Sequence, residues 1–130
     1  MTLIIDTSVL VWLEKGKMDI IDSLETMRKS HPAPPCITFI TYFEFLFGLN
    51  ERKPSNKSES MSFLEAFRFL SPTKTTATIL SELKYKYEKK GKPIPLADLM
   101  IASQAMENNM TLLTTDKYFN EIEELNKIIL

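Results

Sequence analysis

Asp6, Glu44, Asp98 and Asp116 each stand where a hydrophobic segment ends or turns. Asp6 ends the run Leu3-Ile4-Ile5, and Glu44 interrupts Tyr42-Phe43-Glu44-Phe45-Leu46-Phe47. Asp98 falls within Pro95-Leu96-Ala97-Asp98-Leu99-Met100-Ile101-Ala102, and Asp116 closes Thr111-Leu112-Leu113-Thr114-Thr115. No basic residue lies in any of these segments, and carboxylates are rarely buried without a partner. Two carboxylates about 5 Å apart at an effective dielectric of about 20 repel by roughly 3 kcal/mol. Several such pairs rival the whole stability of a small domain, about 5–15 kcal/mol. A fold that gathers these acids must therefore bind a cation or take up protons. Hard oxygen donors suit Mg²⁺ or Mn²⁺ rather than zinc. One or two such ions would hold a phosphodiester, acidify a water and stabilise the leaving oxygen, which is the chemistry of phosphodiester hydrolysis. Thr7, Ser8, Thr114 and Thr115 place hydroxyls beside the carboxylates, with Ser8 and Thr114 the preferred pair for orienting them.

Each acid also has a structural use when taken alone. Thr41-x-x-Glu44 reads as a capping box, Asp98 suits the first turn of a helix, and Asp116 can N-cap a helix over residues 117–125. Asp6, directly after a strand buried on both faces, has fewer such uses.

The elements that must position these acids follow from the hydrophobic pattern. The apolar run at residues 1–5 predicts a strand buried on both faces. Helices follow over residues 9–15, ended by Gly16, and over 18–29, broken by His31-Pro32-Ala33-Pro34-Pro35. A second strand is expected at 36–39 and a helix at 41–49. The polar residues 50–58 have loop composition. A helix over 60–70 would present Met61, Leu64, Phe67 and Leu70 on one face, and another over 75–90 would end at Gly91. Residues 96–108 form the next helix, with Asn109 as a left-handed terminator. A third strand at 111–115 and an edge strand at 127–130 complete an α/β domain with a mainly parallel sheet.

The chain has 130 residues, 44% of them hydrophobic, enough for one domain with a sizeable core and too few for two. A net charge of −1 gives no global attraction to nucleic acid or to an anionic membrane. A single cysteine, Cys36, rules out an intrachain disulfide and falls at a strand position suited to burial. With no run of about 18 apolar residues and no basic-then-apolar N-terminus, a cytoplasmic protein without membrane contact is expected.

In open parallel sheets ligands bind beyond the carboxyl ends of the strands. Asp6 and Asp116 follow strands at that edge, and Glu44 and Asp98 lie near helix starts, so four distant segments can converge there. Ile5-Asp6-Thr7-Ser8-Val9-Leu10, Phe43-Glu44-Phe45-Leu46-Phe47-Gly48, the segment around Asp98 and Leu113-Thr114-Thr115-Asp116-Lys117-Tyr118-Phe119 resemble, in order and over nearly the whole chain, the motifs of PIN-domain ribonucleases, especially the VapC toxins. The resemblance implies a three-layer α/β/α sandwich and a Mg²⁺- or Mn²⁺-dependent endoribonuclease acting on RNA. It also implies homodimerisation and inhibition by an antitoxin that inserts a segment into the acidic groove. By motif position Asp6, Glu44, Asp98 and Asp116 match the acidic quartet, and Ser8 and Thr114 the supporting hydroxyls. Asp6 and Asp98 would be primary metal ligands, Asp116 a ligand of the same or a second ion, and Glu44 a ligand or the base that orients water. The bulk of Tyr42 and Phe43 departs from the pattern and would reshape the groove.

Outside the quartet, Lys84, Lys86, Lys89, Lys90 and Lys92, with Arg52 and Lys53, could track an RNA backbone or form a solvated helix face. Tyr85 and Tyr87 could stack bases or pack inward. Phe43, Phe45, Leu46 and Phe47 surround their helix, which calls for a dimer interface, a partner groove or a deep position within the monomer. Trp12 is expected in core or interface and His31 in an exposed loop. Two rival functions stand beside the nuclease. One is a Mg²⁺-dependent phosphoryl-transfer domain with an aspartate nucleophile, although Ser8 occupies the place of its usual second carboxylate. The other is a non-catalytic module whose acidic groove binds a basic peptide.

Overall fold

A computed structural model describes residues 2–130; Met1, the first residue of the expected opening strand, lies outside them. The chain order is β1 (Leu3–Ile5), α1 (Thr7–Glu14), α2 (Met18–Arg28), β2 (Cys36–Thr38), α3 (Phe39–Arg52), α4 (Lys57–Glu65), β3 (Arg68–Leu70), α5 (Lys74–Lys89), α6 (Leu96–Glu107), β4 (Thr111–Thr114), a 3₁₀ turn (Lys117–Glu121) and β5 (Lys127–Ile129). The five strands form one sheet in the order β3-β2-β1-β4-β5, and every pairing is parallel.

Alternation along the strands sorts the core into two layers. Ile4, Cys36 and Leu112 pack with Leu83, Tyr87, Leu99 and Ala102 of α5 and α6. Ile5, Ile37 and Leu113, each one residue further on, pack with Val9, Ile20, Phe45 and Leu64 of α1 to α4. This is the expected three-layer sandwich, because successive strand side chains point to opposite faces. It also explains why β1, β2 and β4 are buried at every position. Burial lifts the Cys36 thiol above its ordinary range, in keeping with a core position.

The structure departs from the expected elements in three places. Residues 60–70 are not one helix: α4 stops at Glu65, and Arg68–Leu70 forms β3. The spacing of Met61, Leu64, Phe67 and Leu70 continues a helical period, but β3 pairs in parallel with β2 and satisfies its backbone edge. The polar stretch 50–58 contributes only residues 53–56 as a link, with Lys53 left-handed (φ 48°) at the end of α3. Residues 117–125 hold only a 3₁₀ turn to Glu121, not the expected longer helix. Phe119, Ile122 and Leu125 are all buried, and spacing by three suits a three-residue turn better than an α-helix. Gly91 (φ 68°) and Asn109 (φ 52°) terminate their helices in the left-handed region as expected.

Candidate active site

β1 is flanked by β2 on one side and β4 on the other, so the strand order reverses beside it. At such a switch point the connections leave in opposite directions and open a crevice at the carboxyl edge. Asp6 sits there as the N-cap of α1, with Oδ1 accepting from the Val9 N–H (3.1 Å) and the Ser8 hydroxyl (2.7 Å). Its other oxygen, Oδ2, accepts from the Thr114 hydroxyl. Ser8 Oγ in turn accepts from the Thr115 N–H (3.2 Å), and Thr114 Oγ1 from the Asp116 N–H (2.9 Å). Each hydroxyl thus donates to Asp6 and accepts from the exit of β4, locking two strand ends together. Thr115 enters through its backbone rather than its hydroxyl.

Asp116 N-caps the 3₁₀ turn, accepting from the Tyr118 N–H at 2.9 Å. Its side chain therefore fills the capping role, on a shorter turn than expected. The capping box expected at Thr41 and Glu44 does not form. Thr38 is the cap, accepting from the Thr41 N–H at 3.2 Å, which starts α3 at Phe39 and puts Glu44 in its second turn. There Glu44 Oε1 accepts from the Thr7 hydroxyl at 2.6 Å, and Thr7 Oγ1 lies 3.2 Å from Thr41 Oγ1. Thr7, one of the hydroxyls expected beside the carboxylates, therefore orients Glu44, a pairing that the sequence did not indicate. Gln104, also missed, is buried on α6. Its amide oxygen accepts from the Phe39 N–H (3.3 Å) and its nitrogen donates to the Leu70 carbonyl (3.0 Å), which fixes α6 against the start of α3. Only its polarity in an apolar helix face could have signalled it.

Asp98, in the first turn of α6, has no hydrogen-bond or ion-pair partner among the described residues. Desolvation, followed by the negative charges of Asp116, Glu44 and Asp6, pushes its carboxyl up to about 6. Asp98 thus feels the charge of all three other acids. Asp6 is also raised: its burial outweighs the hydrogen bonds from Thr114, Ser8 and Val9 that oppose the shift.

Among the described residues no three of the carboxylate, imidazole or thiol groups close on a common point as they stand. Three of the acids are clamped by hydroxyls or backbone amides, and Asp98 is not. The donor set nevertheless suits a hard divalent cation: four carboxylates with, among the described residues, no basic side chain bonded to any of them, and Asp98 without a hydrogen-bond or ion-pair partner. A cavity of about 310 Å³ lined by Phe43, Glu44, Phe47, Gly48 and Glu51 opens beside Glu44. A larger apolar groove of about 500 Å³, lined by Phe39, Tyr42, Phe43, Leu46, Glu65 and Phe69, contains none of the quartet.

The basic residues do not gather at the acids. Lys84 bonds Glu88, Lys86 bonds Glu124, Lys90 and Lys92 lie 4.0 and 3.5 Å from Glu123 and Glu121, and Arg52 pairs with Glu14. Lys89 lies over the exposed ring of Tyr85, Lys53 caps α3, and Tyr87 is buried with its hydroxyl on Glu124. Phe45 is buried, whereas Phe43 and Phe47 are 56% and 45% exposed, which excludes a deep position for the whole of α3 within one chain. Trp12 is partly exposed, and His31 is half-buried rather than fully exposed.

Comparison with known proteins agrees with this geometry. The PIN domain family model matches residues 3–125. Ribonuclease VapC of Rickettsia bellii is 30% identical, over 96% of this chain and 93% of that protein. Ribonuclease VapC2 of Rickettsia felis is 28% identical, over 98% of this chain and 92% of that protein. The crystal structure of VapBC2 from Rickettsia felis, bound to a DNA fragment from its promoter, contains a chain that superposes with a TM-score of 0.84 at 26% identity, covering 100% of this chain and 99% of that one. With a fully parallel sheet whose order reverses at β1 and a PIN domain model matched over residues 3–125, the chain belongs to the PIN-domain family.

Proposed function

We infer that this chain is a Mg²⁺- or Mn²⁺-dependent endoribonuclease and the toxin of a toxin–antitoxin pair. The observation that carries the reading is the convergence on Asp98 of the charges of Asp6, Glu44 and Asp116, with no ion-pair partner for Asp98 among the described residues. Two relatives that cover nearly the whole chain are named ribonucleases. Bound among these acids, a divalent cation would stabilise charge on the phosphate and acidify an attacking water. Asp6 and Asp98 would hold it, with Asp116 serving the same or a second ion. Ser8 and Thr114 hold the Asp6 oxygens at fixed positions, so little reordering is needed on binding. Thr7 occupies Glu44 Oε1 and leaves Oε2 to accept a proton from the water that attacks phosphorus as the ester oxygen departs.

The complex of VapBC2 supports a cognate antitoxin as partner here too. The exposed Phe39, Phe43, Phe47 and Phe69, together with the apolar groove, support association with that partner and with a second copy of the chain. The single buried cysteine agrees with a cytoplasmic setting. Among the described residues no helix is long and apolar enough to cross a membrane.

The test uses purified protein with a structured RNA. Cleavage is expected with Mn²⁺, none with EDTA, and none from Asp6→Asn. Calorimetry with Mn²⁺ alone should show binding that Asp6→Asn and Asp98→Asn weaken. Undiminished cutting by Asp6→Asn would overturn the reading.

A further inference from the structure

We propose that Trp12, flanked by Lys15 and Lys17, is a base-stacking platform that holds the RNA strand as it leaves the acidic site. The proposal rests on the ribonuclease reading and adds to it the surface that receives the substrate. α1 begins at the site, capped by Asp6, and runs away from it. At 3.6 residues per turn, Ser8, Trp12 and Lys15 fall within about 60° of one another, with Trp12 about 6 Å along the axis from Ser8. Ser8 faces the exit of β4, where it bonds the Thr115 N–H. A stripe of hydroxyl, indole and ammonium therefore leads along one helix face outward from Ser8, whose hydroxyl donates to Asp6.

The indole is 37% exposed, and two ammonium groups lie over it, Lys17 at 4.2 Å and Lys15 at 5.4 Å from the ring centroid. Lys15 has no carboxylate partner among the described residues, and Lys17 reaches only Asp19, at 4.0 Å. This separates them from Lys84 and Lys86 of α5 and its C-cap Lys90, which pair with glutamates. Tyr85 and Lys89 form a similar exposed pair on α5, but the neighbouring Glu88 makes that surface less favourable for a polyanion, and no contact ties it to the quartet. An exposed cation–π contact shifts an equilibrium by about two- to fivefold. Stacking one base on an aromatic ring is worth from about fivefold to over a hundredfold. A base can thus take the ring face while the displaced ammonium groups turn to the flanking phosphates. A chain with a net charge of −1 needs such a local site to hold a polyanion beside four acids.

Trp12 is the only tryptophan, so intrinsic fluorescence reports this position alone. Single-stranded RNA titrated into Asp98→Asn protein with Mg²⁺ should quench it saturably. The Lys15→Gln/Lys17→Gln variant should bind more weakly, with a salt dependence shallower by about 1.4 in log–log slope. In cleavage by the otherwise unaltered chain, Trp12→Ala should raise KM about 5- to 100-fold with kcat within about twofold, and Trp12→Phe should recover most of the loss. Unchanged fluorescence when anisotropy of a labelled RNA shows saturation overturns the proposal. So does quenching by a protein partner but not by RNA, which would assign the surface to that partner. Quenching by RNA in a chain that never cuts RNA would sustain the platform while refuting the nuclease reading.

Discussion

Replacing Asp98 by asparagine removes one negative charge from a group of four while nearly preserving side-chain volume. The carboxyl of Asp98 is raised from 3.8 to about 6 by desolvation and by its three acidic neighbours. At about 1.4 kcal/mol per pH unit the charged form costs about 3 kcal/mol. Asp98 is only part-buried, and solvent screening reduces this to about 1–2 kcal/mol. An unfolding entropy of about 2.1 cal/mol/K per residue converts that gain to a rise in Tm of about 4–7 °C for a chain of this size. The pH dependence has a definite sign. Because folding raises this acid's pKa, the folded state binds the proton more tightly, so the metal-free chain loses stability as pH climbs from about 4 to 6. The advantage of Asp98→Asn should therefore be full at pH 7.5, shrink through that window and vanish below about pH 4. Calorimetric melts of both proteins in EDTA across this range measure it. Mn²⁺ should raise the Tm of the parent more than that of the variant, since bound cation offsets the repulsion. A variant that is no more stable at pH 7.5, or whose advantage persists undiminished at pH 4, would refute the electrostatic coupling. The same variant should have lost RNA cleavage, a stability gain at the expense of function.

Thr114→Val keeps the shape of a fully buried side chain but leaves Asp6 Oδ2 and the Asp116 N–H without their partner. It should cost about 2–4 kcal/mol in urea unfolding, with Thr114→Ser recovering most of it. Thr7→Val frees Glu44 Oε1, and we expect kcat to fall about tenfold or more with KM little changed, as read from initial rates. Phe43→Glu, on a residue 56% exposed, should leave the far-ultraviolet circular dichroism unaltered while shifting light scattering toward the monomer. An unchanged mass would remove Phe43 from the association surface.

The positions of all four acids could be read from the sequence because each interrupts or terminates an apolar run, where a charge is conspicuous. Ser8 was legible for a related reason, since it lies two residues from the Asp6 it bonds, whereas Thr114, singled out beside Asp116, donates instead to Asp6 across the sheet. The pairing of Thr7 with Glu44 and the whole role of Gln104 were not legible, because the partners Glu44, Phe39 and Leu70 are 34 to 65 residues away and only packing brings them near. The lysines of α5 illustrate the opposite case: a charge run suggests a polyanion site until folding sets Glu121, Glu123 and Glu124 beside it.

Hydrophobic periodicity alone determined a parallel α/β layer structure and most of its helices, since side chains three or four apart on a helix and two apart on a strand must share a face. It could not determine β3, whose Arg68 and Phe69 are exposed and whose existence depends on the open edge of β2. Nor could it determine which acid would go without a hydrogen-bond partner. That Asp6 is clamped while Asp98 stands bare among like charges follows from the meeting of β1, β4, α3 and α6 at one crevice, because both desolvation and charge repulsion depend on distances that only the tertiary structure sets.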